Sequence, residues 1–256
     1  MSRFRVLQFN MQFGQCWDDI HPDHAPVRLD LTIDEIRRHD ADIVMLQEVE
    51  RAQPGGKQVL PPPNYTRLRE ALPGYHGWFS YPREDSRELP FGVGLAILSR
   101  TDLKDCTRLD LPSPPIEFEF QGRRTTPTDR LLIGASTAIE GRELRLLNTH
   151  LLAFFMLGSS STRNPSQRQV VAEQLDAARG PTLLSGDFNV SGHASLVAQF
   201  AERGFRTVQD VQPTWRRRPY VLDHIFHNKP LRCVAHRVEP TSSSDHHLLV
   251  ADFEFA

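Results

Sequence analysis

The chain has 256 residues, of which 39% are hydrophobic and 24% are charged, and its formal net charge is −2. This composition is typical of a soluble globular protein and excludes a disordered chain. A net charge of −2 gives no global positive field for binding nucleic acid, but it does not exclude a local basic groove. The length allows one large domain or two small ones.

Three scattered cysteines, Cys16, Cys106 and Cys233, form neither a disulfide framework nor a zinc-spaced pair. Reduced thiols are therefore expected. The first residues lack a long apolar signal region, and no later apolar run is long enough to span a bilayer. We therefore expect a cytoplasmic, monomeric protein without a membrane span.

In the first half of the chain, apolar periodicity predicts strands that alternate with helices. Residues 27–38 and 65–72 are predicted helices, and the Pro- and Gly-rich residues 51–64 are a predicted loop. Residues 111–128 contain four prolines, and the predicted strands on both sides of them belong to one sheet. We therefore interpret these residues as a long loop that leaves the sheet and returns to it, an excursion, and not as a domain linker. The predicted strands cover residues 4–11, 41–46, 92–99, 130–139 and 143–150.

The second half continues this alternation. Helices are predicted at 167–179, which Gly180-Pro181 ends, and at 194–203, which Gly204 ends. Strands are predicted from Leu183 onward and at 220–227, 232–238 and 247–255. Mixed strands and helices throughout predict a single α/β (α+β) domain that covers residues 1–256.

One apolar run ends in a pair of polar side chains. Leu183-Leu184 continues to Gly186, after which Asp187 and Asn189 follow two residues apart. In an extended backbone such residues project from the same face, so the carboxylate could accept a proton from water that the amide orients. An Asx-turn is an equally favoured interpretation of the same two residues.

Five other strands end or begin with polar residues that could serve a chemical function. Singly, each has a structural explanation, such as a turn cap, an ion pair or an interior histidine. Together they are hard to explain in that way, because burying so many ionisable groups costs free energy. The residues are Asn10, Glu48, Asn148-Thr149-His150, Asp223 and Ser244-Asp245-His246.

This set of side chains is suited to one class of chemistry. Asn10, Glu48 and Asp245 offer hard oxygen ligands, which favour Mg²⁺ or Mn²⁺ over zinc. The remaining acids and histidines supply a base, a charge stabiliser and an orienting group. The set is sufficient for metal-assisted attack of water on a phosphate ester.

The sequence resembles the endonuclease/exonuclease/phosphatase superfamily of deoxyribonuclease-like, metal-dependent phosphoesterases. The resemblance implies a four-layer sandwich, in which helices flank two packed mixed β-sheets and the site lies at one end of the sheets. The matching segments follow the family's order: Gln8-Phe9-Asn10, Leu46-Gln47-Glu48-Val49, Asn148-Thr149-His150-Leu151, Gly186-Asp187-Phe188-Asn189, Leu222-Asp223-His224-Ile225 and Ser244-Asp245-His246.

The resemblance also implies a metal centre. Glu48 would be the main ligand of Mg²⁺ or Mn²⁺, with Asn10 and Asp245 near the same ion. Some nucleases of the family have an aspartate two residues after the first asparagine, whereas this chain has Gln12. This departure argues against a second metal contact at that position.

The catalytic roles implied by the resemblance fall on five residues. Asp187 would be the general base for the attacking water, and Asn189 would position that water or a phosphate oxygen. His246, polarised by Asp223, would stabilise charge on the phosphoryl group, and His150 would contact another phosphate oxygen.

Two segments could select the substrate. The apolar residues 151–157 are expected in the core, and contact with lipid is the less favoured alternative. Residues 215–218, Trp-Arg-Arg-Arg, could bind phosphates or stack on a base, or form a solvated basic loop.

From the sequence we predict a hydrolase that acts on a phosphodiester, either nucleic acid or a small or lipid diester. The alternatives are a phosphomonoesterase of the inositol-phosphate or nucleotide type and a catalytically silent binding protein of the same fold.

Overall fold

Two mixed β-sheets and four helices, described by a computed structural model for residues 3–256, make up most of the chain. The strands are β1 (Arg3–Asn10), β2 (Ile43–Arg51), β3 (His76–Ser80), β4 (Gly92–Ser99), β5 (Lys104–Leu111), β6 (Phe118–Phe120), β7 (Arg123–Thr125), β8 (Arg130–Ile139), β9 (Arg142–His150), β10 (Thr182–Asp187), β11 (Phe205–Thr207), β12 (Asp223–Asn228), β13 (Leu231–Glu239) and β14 (Leu248–Phe255). The helices are α1 (Leu29–His39), α2 (Pro63–Ala71), α3 (Ser166–Asp176) and α4 (Ala194–Ala201).

Each large sheet has six strands. The first has the order β13-β14-β1-β2-β4-β3, and the second has the order β11-β12-β10-β9-β8-β5. In the first sheet β1 and β2 are parallel, and in the second β9 and β10 are parallel, whereas their other neighbours run antiparallel. The strands β6 and β7 form a separate two-stranded hairpin.

The two sheets pack face to face around a shared apolar core. Alternate residues of each strand point inward, so that Val6 and Met45 of the first sheet lie in one cluster with Leu146 and Ile225 of the second. The outer face of the first sheet packs against α1 and α2, and that of the second against α3 and α4. This arrangement confirms the predicted four-layer sandwich.

Helix α1 shows why element boundaries are harder to predict than elements. Its buried residues Leu29, Ile33 and Ile36 recur at helical spacing, as the sequence indicates. The helix begins at Leu29 and not at Val27, because the backbone of Val27 pairs with Gln15 in an isolated bridge. The predicted start at residue 27 was therefore wrong by two residues.

Five strands were not predicted. Three of them are edge strands, β3 of the first sheet and β5 and β11 of the second, and the other two, β6 and β7, form the separate hairpin. The strand β5 carries mostly polar residues, as edge strands that avoid pairing with other chains often do, and so lacks the apolar pattern on which the prediction relied. The strands β3 and β11 have only five and three residues, too few to show a pattern. In β5, six of eight residues are exposed. The predicted excursion at 111–128 contains the β6–β7 hairpin.

No helix between residues 3 and 256 combines the length and the apolar character that crossing a bilayer requires.

One buried side chain joins the two sheets by hydrogen bonds. Asn148, on β9 of the second sheet, donates to the backbone oxygens of Leu46 and Ala96 in the first sheet, both at 3.0 Å. Its amide oxygen accepts from Gln47 Nε2 at 2.7 Å. These bonds fix the position of one sheet against the other, close to the strand ends that carry polar residues.

We predict that Asn148→Ala lowers the free energy of unfolding by about 3 kcal/mol, because it leaves several buried polar groups without their partner. Asn164→Ala is the control, since Asn164 bonds only within a surface loop. Urea denaturation of both variants measures the effect. A loss no greater than that of the control would contradict the role of Asn148.

Candidate active site

The predicted polar residues meet where the ends of the two sheets come together. In the second sheet, Asp187 lies in register with His150 on one side and with Asp223 on the other. In the first sheet, Asn10 pairs with Gln47, next to Glu48. The parallel pairs therefore present their carboxyl ends at the same edge of the sandwich.

Asn10 links the acids of the two sheets. Its amide nitrogen donates to Glu48 Oε1 and to Asp187 Oδ2, each at 3.0 Å. Its amide oxygen accepts from the backbone N–H of Gln12 at 3.1 Å. One buried amide thus orients two carboxylates that come from different sheets.

Glu48 has an irregular backbone. Its φ is 51°, and the β2–β4 register shifts between Gln47 and Glu50, which marks a β-bulge. The neighbouring Gly92 leaves room for the side chain, since a Cβ on Gly92 would lie 2.1 Å from Glu48 Oε2. Burial, and then the negative charge of Asp245, raise the pKa of Glu48 to about 7.

Asp187 ends β10 in the Asx-turn that was one of its two predicted interpretations. Its Oδ1 accepts from the backbone N–H of Asn189 at 2.9 Å, and Asn189 has a φ of 50°. The two side chains are therefore brought together by a turn and not by an extended strand. Asp187 is 1% exposed, and burial is the main reason that its pKa rises to about 8.

His150 is held as a hydrogen-bond acceptor. The amide nitrogen of Asn189 donates to the backbone oxygen of Leu151 at 3.0 Å and contacts His150 Nε2 at 2.9 Å. Because a carbonyl can only accept, the first bond fixes the orientation of the amide, and Nε2 must accept from it. Burial lowers the pKa of His150 well below its ordinary value, so the ring is neutral.

His246 is in the opposite protonation state. Its Nδ1 donates to Asp223 Oδ2 at 2.7 Å, and its Nε2 lies 3.6 Å from Asp187 Oδ2. Burial alone would lower the pKa of His246, but the charges of Asp223 and Asp187 outweigh it and raise the pKa to about 10. The site therefore contains one neutral and one cationic imidazole.

Asp245 lies at the rim and is already paired. Its Oδ2 accepts from Trp215 Nε1 at 3.1 Å and from Arg217 Nε at 3.0 Å, and its N–H donates to Gln12 Oε1 at 3.2 Å. Glu48, His150 and Asp187 bring ligand atoms within 4.8 Å of one another. Among the residues described, Asp245 belongs to no such group, and its role as a ligand stays a prediction.

The two segments that could select the substrate have different environments. Of residues 151–157, Leu151, Leu152 and Phe154 are buried as expected, whereas Met156 is 64% exposed. In residues 215–218, Arg217 pairs with Asp245 and Asp23. The guanidinium group of Arg217 is thus already paired with two carboxylates.

Sequence reasoning missed the supporting roles of three residues. Gln8 donates to Asp223 Oδ1 at 2.6 Å, and Ser244 donates to the backbone oxygen of Asn10 at 2.7 Å. Arg130 supplies a positive charge that lowers the pKa of both Glu48 and His150. A usable signal existed only for Gln8, which lies two residues before Asn10 and so on the same face of β1.

A family model described as "Endonuclease/Exonuclease/phosphatase family" matches residues 7–246 of the chain. Among curated proteins, none matches the chain at a significant level.

Solved structures share the fold at low sequence identity. An endonuclease/exonuclease/phosphatase from Beutenbergia cavernae is 21% identical with a TM-score of 0.75, covering 100% of this chain and 72% of that one. The human Nocturnin catalytic domain, solved with bound sulfate, is 22% identical with a TM-score of 0.64, covering 99% and 95%. A mannosyl-6-phosphatase from Bacteroides thetaiotaomicron is 18% identical with a TM-score of 0.69, covering 98% and 100%.

We predict that His246 stays protonated through neutral pH in the metal-free protein. Its pKa is raised from 6.5 to about 10, so its contribution to stability is fully present below pH 6.5 and is lost as the pH rises toward 10. Imidazole ¹⁵N shifts in chelator-treated protein measure this, and Asp223→Asn should lower the pKa. His224, whose pKa burial lowers to about 4, is the internal control that stays neutral. Titration of His246 near pH 6.5 in the unaltered protein would contradict the prediction.

Proposed function

Because the chain belongs to the Endonuclease/Exonuclease/phosphatase family, we propose that it is a Mg²⁺- or Mn²⁺-dependent phosphodiesterase that cleaves a P–O bond by direct attack of water. The observation that carries the proposal is the position of Asp187. Its Oδ2 lies 3.0 Å from Asn10 Nδ2, 3.5 Å from His150 Nε2 and 3.6 Å from His246 Nε2. A buried acid among an amide and two imidazoles is suited to accept a proton beside a phosphate.

Asp187 is the proposed general base. Its raised pKa, about 8, gives the carboxylate more affinity for a proton than an exposed aspartate has. Asn189 can orient the water, because its turn holds the amide beside His150. The water attacks phosphorus, its proton passes to Asp187, and the alcohol oxygen leaves with the bonding electron pair.

The two histidines have different proposed tasks. His246 is cationic, because Asp223 and Asp187 raise its pKa to about 10, so it can stabilise negative charge on the phosphoryl oxygens. His150 is neutral, and its proposed task is to donate from Nε2 to a phosphate oxygen, in the tautomer that gives up the present hydrogen bond from Asn189. Gln8 and Asp223 act through His246: the bond of Gln8 to Asp223 Oδ1 leaves Oδ2 for His246 Nδ1.

The side chains present are suited to a divalent cation. Glu48 and Asp187 are carboxylates that Asn10 holds together, and hard oxygen donors favour Mg²⁺ or Mn²⁺. The raised pKa of Glu48 reflects burial and the charge of Asp245, both of which a cation would offset. We propose Glu48 as the main ligand of the cation. Asn10 and Asp245 would complete the ligand set by giving up hydrogen bonds that they make in the metal-free protein. When bound, the ion supplies positive charge for the phosphoryl group.

We predict that Asp187→Ala lowers kcat/KM by about a thousandfold and His246→Ala by about a hundredfold or more, because each removes a group that acts in the transition state. The assay is hydrolysis of bis-p-nitrophenyl phosphate with Mg²⁺ or Mn²⁺. Asp34→Ala, an exposed aspartate on α1, is the control and should retain native activity.

Activity that survives both a chelator and the two substitutions would contradict the proposal. A parallel assay with p-nitrophenyl phosphate distinguishes the alternative. Faster hydrolysis of this monoester than of the diester would favour a phosphomonoesterase.

A further inference from the structure

A cleft of about 840 Å³ lies beside the site and takes no part in the chemistry described above. Its walls are residues 51–55 at the end of β2, residues 86–90 before β4, and residues 120–125 of the β6–β7 hairpin. We propose that this arginine cleft binds a single-stranded segment of nucleic acid that adjoins the scissile phosphate. The inference rests on the proposed phosphodiesterase function and names its substrate class.

The cleft concentrates positive charge in a chain whose net charge is −2. Four arginines line it (Arg51, Arg87, Arg123 and Arg124), against one acid, Glu88. The Glu88 carboxylate accepts from Thr128 at 2.7 Å and lies 3.8 Å from Arg130, so it is already engaged. A local excess of arginine favours the phosphates of a polyanion.

Two of the four arginines are paired with acids and two are not. The paired ones are Arg87, which contacts Asp85, and Arg124, which lies 3.5 Å from the exposed Glu117. Arg51 and Arg123 form no ion pair with an acid in residues 3–256, and Arg51 lies over the ring of Phe13. These two guanidinium groups come from different walls of the cleft, one from β2 and one from the hairpin, so a bound strand could contact both.

Aromatic rings favour a nucleic acid strand over a small polyphosphate. Phe120 lines the cleft, and Phe91 packs its edge against Phe120 with ring centroids 5.6 Å apart. Phe91 is nevertheless 48% exposed. An exposed ring beside arginines offers a surface on which a base can stack, which every base can use regardless of sequence.

The cleft lies close to the candidate active site along β2 and β4. Pro90 lines the cleft, and Gly92, which packs against the Glu48 carboxylate, follows two residues later, a distance of at most about 7 Å. Arg51 follows Glu48 by three residues on β2. Arg130 lies beside Glu88 in the cleft wall and also lowers the pKa of Glu48. A strand leaving the scissile phosphate would therefore enter the cleft directly.

Fluorescence anisotropy of labelled hexathymidylate tests the proposal. The titrations contain a chelator, so that no hydrolysis occurs, and they are repeated over a range of salt concentrations. The cleft variant is Arg51→Ala with Arg123→Ala, the two arginines of the cleft that form no ion pair in residues 3–256. The matched control is Arg67→Ala with Arg206→Ala, which removes two exposed arginines from α2 and β11.

For the cleft variant we expect the affinity for hexathymidylate to fall by at least about tenfold. The plot of log binding constant against log salt concentration should also become shallower by about 1.4, because each lost contact with a single-strand phosphate changes its slope by about 0.7. The control should bind as the native protein does. Phe120→Ala should weaken binding by about fivefold or more without changing the slope, because stacking is not ionic.

Unchanged affinity and slope in the cleft variant, or an equal loss in the control, would overturn the proposal. Displacement of the probe by tripolyphosphate as efficiently as by unlabelled hexathymidylate would overturn the assignment to a nucleic acid strand. Hydrolysis of bis-p-nitrophenyl phosphate by the same preparations separates the two proposals. Native protein that hydrolyses the diester but does not bind hexathymidylate refutes the cleft alone, whereas binding without hydrolysis refutes the proposed function alone.

Discussion

The site depends on two carboxylates from different sheets, Asp187 buried and Glu48 partly buried, that share one amide. Asn10 donates to Glu48 and to Asp187 at 3.0 Å each, and both acids have a raised pKa, about 7 and about 8, mainly through burial. Two negative charges held this close in a buried site are unfavourable unless a proton or a cation compensates them. The arrangement therefore favours a divalent cation and, in Asp187, an acid that accepts protons readily.

The packing of the two sheets sets this geometry. Asn148 binds the first sheet from the second, and Gln8, on the first sheet, donates to Asp223 on the second. These buried hydrogen bonds lie a few residues from the strand ends, so they fix the distance between Glu48 and Asp187 as well as the stability of the domain. The same buried hydrogen bonds therefore stabilise the fold and position the groups of the site.

The sequence predicted what depends on local pattern and missed what depends on neighbours in space. Central strands and amphipathic helices were predicted because burial gives them a regular apolar pattern. The edge strand β5 was missed because it is mostly polar and exposed, and the edge strands β3 and β11 were missed because they are short. The meeting of Asn10, Glu48 and Asp187 followed from family resemblance. The Asx-turn at Asp187 is a local feature that the sequence already offered as one of two interpretations. The positive φ of Glu48 and the pairing of Asp245 with Arg217, by contrast, arise from tertiary contacts, which no short pattern in the sequence encodes.

Binding of Mn²⁺, measured by electron paramagnetic resonance at neutral pH without substrate, tests most directly whether the junction of the sheets is a cation site. Glu50→Gln is a matched control, because Glu50 is also buried with a pKa near 7 but accepts from the backbone N–H of Tyr65 at 2.8 Å, away from the site. We predict that Glu48→Gln weakens Mn²⁺ binding by at least about tenfold, while Glu50→Gln binds as the native protein does. Native affinity in Glu48→Gln, or an equal loss in both variants, would contradict the account.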